Sequence, residues 1–171
     1  MLNADSVCWF VARTRNGQEN SIRNALNSLG VDNFIPMRGV MKVVRGKKVR
    51  SEAPLIPNMV FIHCRKDEAC ALANGRGLQL FYVIDRITRS MLVVPDRQMA
   101  DFIRIVTGEP DNVSVCDFVP SCGQRVRVIS GELSGVEGVV VSESRESYLV
   151  VSVGNLLCAK LKIPLYQVEL I

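Results

Sequence analysis

Residues 124–141 read QRVRVISGELSGVEGVVV. Valines alternate with arginines, and glycines follow at positions 131, 135 and 138 before a second β-branched run. Glycine supplies positive φ and close backbone approach, so Gly131, Gly135 and Gly138 suit a tight loop between two strands. Leu133, between two of them, is placed to tuck its side chain beneath that loop. Spacing alone fits an ordinary glycine-turned hairpin equally well. Downstream, YLVVSV at 148–153, LLCAKLKI at 156–163 and YQVELI at 166–171 are further short β-rich runs broken by turn residues. From residue 120 onward the expectation is therefore a small all-β barrel or sandwich.

Upstream the character differs. Residues 109–119, EPDNVSVCDFV, show no helical or strand pattern of useful length, and 108–119 is expected to be a linker. Before it, CWFVAR at 8–13 reads as a strand. Ile22, Ala25, Leu26 and Leu29 recur at helical spacing over 18–29, with Glu19, Arg23 and Asn24 elsewhere and Gly30 as a stop. A strand is expected over 31–37. Residues 38–52 read as a β-hairpin turning at Arg45-Gly46; six of its fifteen residues are Lys or Arg, so it is expected to project into solvent. Pro54 and Pro57 exclude regular structure between them. A strand at 59–64, a helix at 66–74, strands at 80–85 and 91–94, and a helix opened by Pro95-Asp96 follow; Met99, Phe102, Ile103 and Val106 form the stripe of that last helix. Helices interleaved with mostly antiparallel strands predict a two-layer α+β domain over residues 1–107, followed by the small β module at 120–171.

Charge divides the same way. Residues 1–107 hold 16 Lys and Arg against 9 Asp and Glu, and residues 108–171 hold 5 against 8. The basic half is the one expected to approach phosphates or an acidic surface. No run nears the ~18 apolar residues of a membrane span, and the N-terminus lacks a signal-peptide pattern, so a cytoplasmic protein without membrane contact is expected. The six cysteines are scattered without Cys-x-x-Cys spacing and read as small buried hydrophobes. Catalytic groups are scarce: the single histidine, His63, stands in an apolar strand, and no nucleophile elbow, Walker loop or dinucleotide fingerprint is present. A non-enzymatic protein without cofactor or metal is expected.

The 124–141 stretch resembles the KOW motif. The first half resembles the N-terminal domain of NusG-type transcription factors: Trp9-Phe10-Val11 matches an aromatic first strand, and Asn16-Gly17-Gln18 the start of its helix. Val44-Arg45-Gly46-Lys47-Lys48, Ser51-Glu52 and PLIPNMVF at 54–61 resemble the specialised RfaH branch, with Arg76-Gly77 and Val93-Val94-Pro95 completing the match over residues 7–171. The resemblance implies an elongation and antitermination factor acting on particular operons, such as those for surface polysaccharides. It implies a monomer that binds the clamp helices of the largest catalytic polymerase subunit through Leu55, Ile56, Met59, Phe61, Phe102, Ile103 and Val106. Where the family often has Phe-Pro-x-Tyr, this chain has Ile56-Pro57-Asn58-Met59. Phe61, Phe102 and Ile103 equally suit a core, so Ile56 and Met59 are the residues expected at the partner surface. The resemblance places Arg13, Arg15, Arg23 and Arg76 near the non-template DNA strand, and Arg45, Lys47 and Lys48 near upstream DNA or the polymerase. It implies a ribosomal protein or a termination factor as partner of the KOW module. The competing reading, a ribosome-associated or RNA-binding KOW protein, would not need the α+β half.

Overall fold

The computed structural model describes residues 6–117, 120 and 123–171. Cys122 and positions 118–119 of the expected linker lie outside the described residues. The elements run β1 (Val7–Arg13), α1 (Glu19–Ser28), β2 (Asp32–Phe34), β3 (Met37–Val44), β4 (Lys47–Pro54), β5 (Met59–Arg65), α2 (Lys66–Asn74), β6 (Phe81–Tyr82), β7 (Val93–Val94), α3 (Asp96–Gly108), β8 (Val113–Cys116), β9 (Gln124–Val128), β10 (Glu137–Glu143), β11 (Glu146–Val153), β12 (Leu157–Lys162) and β13 (Val168–Leu170). The class is α+β, with a small antiparallel β module at the C-terminal end. The chain forms two compact units: residues 1–36 with 56–96, and residues 37–55 with 97–171.

In the first unit the sheet order is β2-β5-β1-β6, with β7 also paired to β1. β5 lies between β2 and β1, and side chains of both its faces are buried, Val60, Ile62 and Cys64 on one and Met59 and Phe61 on the other, so its sequence is nearly continuous in apolar residues. Helix α1 buries Ile22 and Leu26. It ends in a Schellman arrangement: Gly30 takes φ 69°, its N–H donates to the Asn27 carbonyl, and the Val31 N–H donates to that of Leu26. Glu19, expected away from the apolar stripe, is 6% exposed, and its Oε1 accepts the Asn58 N–H at 2.8 Å. Asn58 has φ 60° at the turn into β5, and the carboxylate satisfies the amide that this turn exposes.

In the second unit, β13-β9-β10-β11-β12-β8 form a six-stranded antiparallel sheet, and β3 and β4 form a separate ribbon. Leu149, Val151 and Val153 of β11 oppose Leu161, Ala159 and Leu157 of β12, and all six are buried with Val126, Val128 and Val136.

Several elements differ from expectation. The strand expected over 31–37 is cut to three residues, Asp32–Phe34. Pro36, without an N–H, ends the first ladder, and the chain restarts as β3. The run at 80–85 keeps only Phe81–Tyr82 as strand, with Ile84 in an isolated bridge to Met91. Part of the stretch read as lacking structure is strand: Val113–Cys116 pairs with β12. Its alternation of Val113 and Val115 is too short to stand out until Leu161 and Ala159 are opposite. In the glycine loop Val136 is the fully buried residue, and Leu133 is half-buried.

Candidate functional site

The β3–β4 ribbon turns through Arg45 and Gly46 at φ 51° and 77°. Two consecutive positive φ values match the right-handed twist of a two-residue hairpin. Register puts Met41 opposite Arg50 and Val43 opposite Lys48 on one face, and Lys42 opposite Val49 and Val44 opposite Lys47 on the other. Both faces therefore mix cations with apolar side chains, and every residue from 41 to 50 is exposed. Arg50 bonds Asp111 at 3.0 Å, leaving Arg45, Lys47 and Lys48 projecting at the tip.

A second basic feature lies on the first unit's sheet. Arg13 ends β1 directly opposite Phe81 of β6; both are exposed, Phe81 to 57%. An arginine beside an open aromatic ring is the pair that single-stranded nucleic acid uses, cation for phosphate and ring for base. Arg15 is exposed just after β1, Arg23 is half-buried on α1, and Arg76 is exposed after α2 beside Gly77 at φ 67°. The loop between β6 and β7 adds cations that the sequence reading passed over. Asp85 accepts the Ile87 N–H at 2.7 Å and its own N–H donates to the Ser90 carbonyl. That closed turn presents Arg86, Ile87 and Arg89 to solvent. Its sequence signal is the Arg-x-x-Arg spacing around an apolar residue. His63 is stacked on Trp9 with ring centroids 4.6 Å apart and lies 3.9 Å from Asp32, a sheet-face arrangement.

The apolar residues anticipated at a partner surface divide by exposure. Met59, Phe61, Phe102 and Val106 are buried, at 3% or less. Leu55, Ile56 and Ile103 are partly exposed. The polar side of α3 has its own assignment within the second unit. Arg104 donates to the carbonyls of Glu132 and Ser134, each at 2.8 Å, and Arg97 to that of Gly135 at 3.0 Å. Buried Asp101 accepts the Glu137 N–H at 3.3 Å, and Gln98 accepts that of Gly154 at 2.8 Å. The loop carrying Gly131, Leu133, Gly135 and Gly138 is thus held by α3. Gly131 and Gly135 sit at φ 79° and 90°. Gly138 has no room for a side chain, since a Cβ there would lie 2.5 Å from the Val150 carbonyl oxygen. None of these contacts follows from the glycine spacing, because the arginines lie some thirty positions earlier.

A family model described as transcription termination factor NusG matches residues 7–110. The chain belongs to the NusG family. NusG-family proteins are transcription elongation and termination factors that bind RNA polymerase. A solved structure of NusG from Thermotoga maritima, described in connection with domain interaction, is similar in fold: TM-score 0.51 and 22% identity, covering 99% of each chain.

Burial pushes the Cys64 thiol up to about 12, with help from Glu68 and Asp67. Glu137 is held below the usual carboxylate range by the hydrogen bond from Arg127, aided by Arg97. Lys162 holds Glu146 down in the same way. Among the described residues no group of three or more His, Cys, Asp or Glu side chains is placed to hold a metal ion. Among the described residues no helix is long and apolar enough to cross a membrane.

Proposed function

We propose that this NusG-family chain is a non-enzymatic elongation and antitermination factor of the RfaH-like branch, acting in the cytoplasm as a monomer without cofactor. It engages the clamp helices of the largest polymerase subunit through an apolar contact centred on Leu55, Ile56 and Ile103. Met59, Phe61, Phe102 and Val106, which are buried, belong to the same proposed set. It holds the non-template strand on Arg13 and Phe81, with Arg15, Arg23 and Arg76 contributing charge, while Arg45, Lys47 and Lys48 reach duplex DNA or polymerase. Residues 120–171 act as a KOW module that recruits a ribosomal protein or a termination factor, joined to residues 1–107 through 108–119. Its targets are a subset of operons, such as those for polysaccharide synthesis.

The observation that carries the nucleic-acid part is the exposed Arg13–Phe81 pair in direct register at the end of β1. Cation and aromatic ring together bind single strands with little sequence demand. The test is a reconstituted elongation complex with a photoreactive non-template strand. Arg13→Glu with Phe81→Ala is expected to lose crosslinking while still co-purifying with core polymerase. Ile56→Asp is expected to lose co-purification. Binding by Ile56→Asp at the native level, or unchanged crosslinking by the double variant, would reject the assignment.

A further inference from the structure

On β12 the side chains alternate between faces. Leu157, Ala159 and Leu161 enter the core of the six-stranded sheet, and Cys158 points the other way. Cys158 lies opposite Ser152 of β11 on one side and opposite Cys116 of β8 on the other. Three strands thereby set Ser152, Cys158 and Cys116 in one row. The Cys116 thiol donates to the Cys158 carbonyl at 3.7 Å, which sets its sulfur against the Cys158 backbone. Directly opposed residues of an antiparallel pair have Cα atoms about 4.5–5.5 Å apart. A disulfide spans Cα separations of about 4.4–6.8 Å, so strand register alone brings this pair within bonding geometry.

Access is asymmetric as well. Cys116 is partly exposed on the edge strand β8, and Cys158 is fully buried. Cys116 is the member of the pair that a reagent can approach, and Cys158 is placed to resolve the product. Cys8 and Cys64 are an internal contrast. They too stand directly opposite, on β1 and β5, but both are buried, at 7% and 3% exposure, and neither offers a sulfur to solvent.

We propose that Cys116 and Cys158 form a redox-controlled cross-strand disulfide, made by exchange with a low-molecular-weight disulfide of the glutathione class, which staples β8 to β12. In the first exchange the Cys116 thiolate attacks one sulfur of the oxidant. The oxidant's S–S bond breaks, and one thiol leaves with the proton that Cys116 released. Cys158, opposite Ser152 in the ladder, then gives up its proton and attacks the Cys116 sulfur. The second oxidant thiol departs with that proton. Two protein thiols are oxidised, and one small disulfide is reduced to two thiols. Excess reduced thiol reverses the sequence, as expected of a bond with one accessible sulfur.

The experiment equilibrates the full chain in glutathione buffers from fully reduced to mostly oxidised, traps thiols by alkylation and maps the peptides by mass spectrometry. A Cys116–Cys158 linked peptide is expected at the oxidised end. It should disappear on adding reductant, be absent in Cys116→Ser, and persist in Cys122→Ser and Cys8→Ser. The thermal midpoint of the oxidised protein should rise by several degrees, with no rise in Cys116→Ser or Cys116→Ala. Three results would overturn the proposal: Cys116 fully alkylated at the oxidised end, Cys116 retained as a mixed disulfide with glutathione, or a bridge from Cys116 to Cys122.

Discussion

Residues 40–44 read VMKVV and residues 149–153 read LVVSV, and both stretches form antiparallel strands of the same unit. Their surroundings are opposite. Met41 and Val43 of the ribbon are 64% and 70% exposed, whereas Leu149 and Val151 of the six-stranded sheet are at most 2% exposed. β-propensity makes strands of both. Only the six-stranded sheet carries these side chains into a core, with Leu149, Val150, Val151 and Val153 all buried, and there side-chain shape matters to stability. The ribbon has no buried face, so its residues are not constrained by packing and are open to selection by a partner.

The largest effect should come from the core side of this contrast. Leu149→Ala is expected to cost about 2–5 kcal/mol in urea denaturation, the range for truncating a buried leucine. Val43→Ala should stay within about 0.5 kcal/mol. An equal cost at both positions would mean that the ribbon is covered in solution, and the contrast would fail.

Two glycines sharpen it. Gly138→Ala places a Cβ 2.5 Å from the Val150 carbonyl oxygen and 2.9 Å from Leu149 Cδ1. Forcing a methyl group against backbone in this sheet should cost about 1–3 kcal/mol by the same denaturation assay. Gly39→Ala on the ribbon meets Asp111 Oδ1 at 2.8 Å, the end of an exposed side chain that can swing away. A cost below about 1 kcal/mol is expected there.

Charge reversal at the ribbon tip should leave stability alone and change binding. Lys47→Glu with Lys48→Glu is expected to leave the urea midpoint unmoved. In a DNA-binding titration, the slope of log affinity against log salt should shrink by about 2, one unit for each lost phosphate contact. An unchanged slope would remove the ribbon tip from the nucleic-acid surface.

The smallest effect is a pH dependence on the six-stranded sheet. Glu137 has its folded pKa lowered by the hydrogen bond from Arg127 and then by the charge of Arg97. A carboxylate held below its unfolded value contributes stability above the unfolded pKa and loses it as pH falls through the folded one. Glu137→Gln should therefore flatten the acid limb of the stability curve below about pH 4.5, near the unfolded carboxylate value. The ribbon variants should leave that limb unchanged.

Much of this was legible along the chain. Helices α2 and α3 begin and end where Gly75, Pro95-Asp96 and Gly108 mark their limits, and the ribbon turns at Arg45-Gly46 as its composition suggests. β8 was not legible, because four residues with two valines acquire meaning only against Leu161 and Ala159. Glu19 read as a surface charge, yet the Asn58 amide that needs it lies 39 positions away. Phe81 sat within an ordinary apolar run, and only the shortness of β6 leaves its ring open beside Arg13.

Helices α1, α2 and α3, the basic ribbon, the glycine loop and the likeness to NusG-type factors can all be read along the chain. These rest on propensity, turn chemistry and spacing, which are properties of neighbours along the chain. Only the tertiary structure decided which arginines hold the loop at 131–135 and which apolar residues are covered. It also decided which described cysteines stand face to face, Cys8 with Cys64 and Cys116 with Cys158, and that of these four Cys116 is the partly exposed one. Those outcomes depend on strand register and on burial between segments far apart in sequence, and no local pattern encodes them.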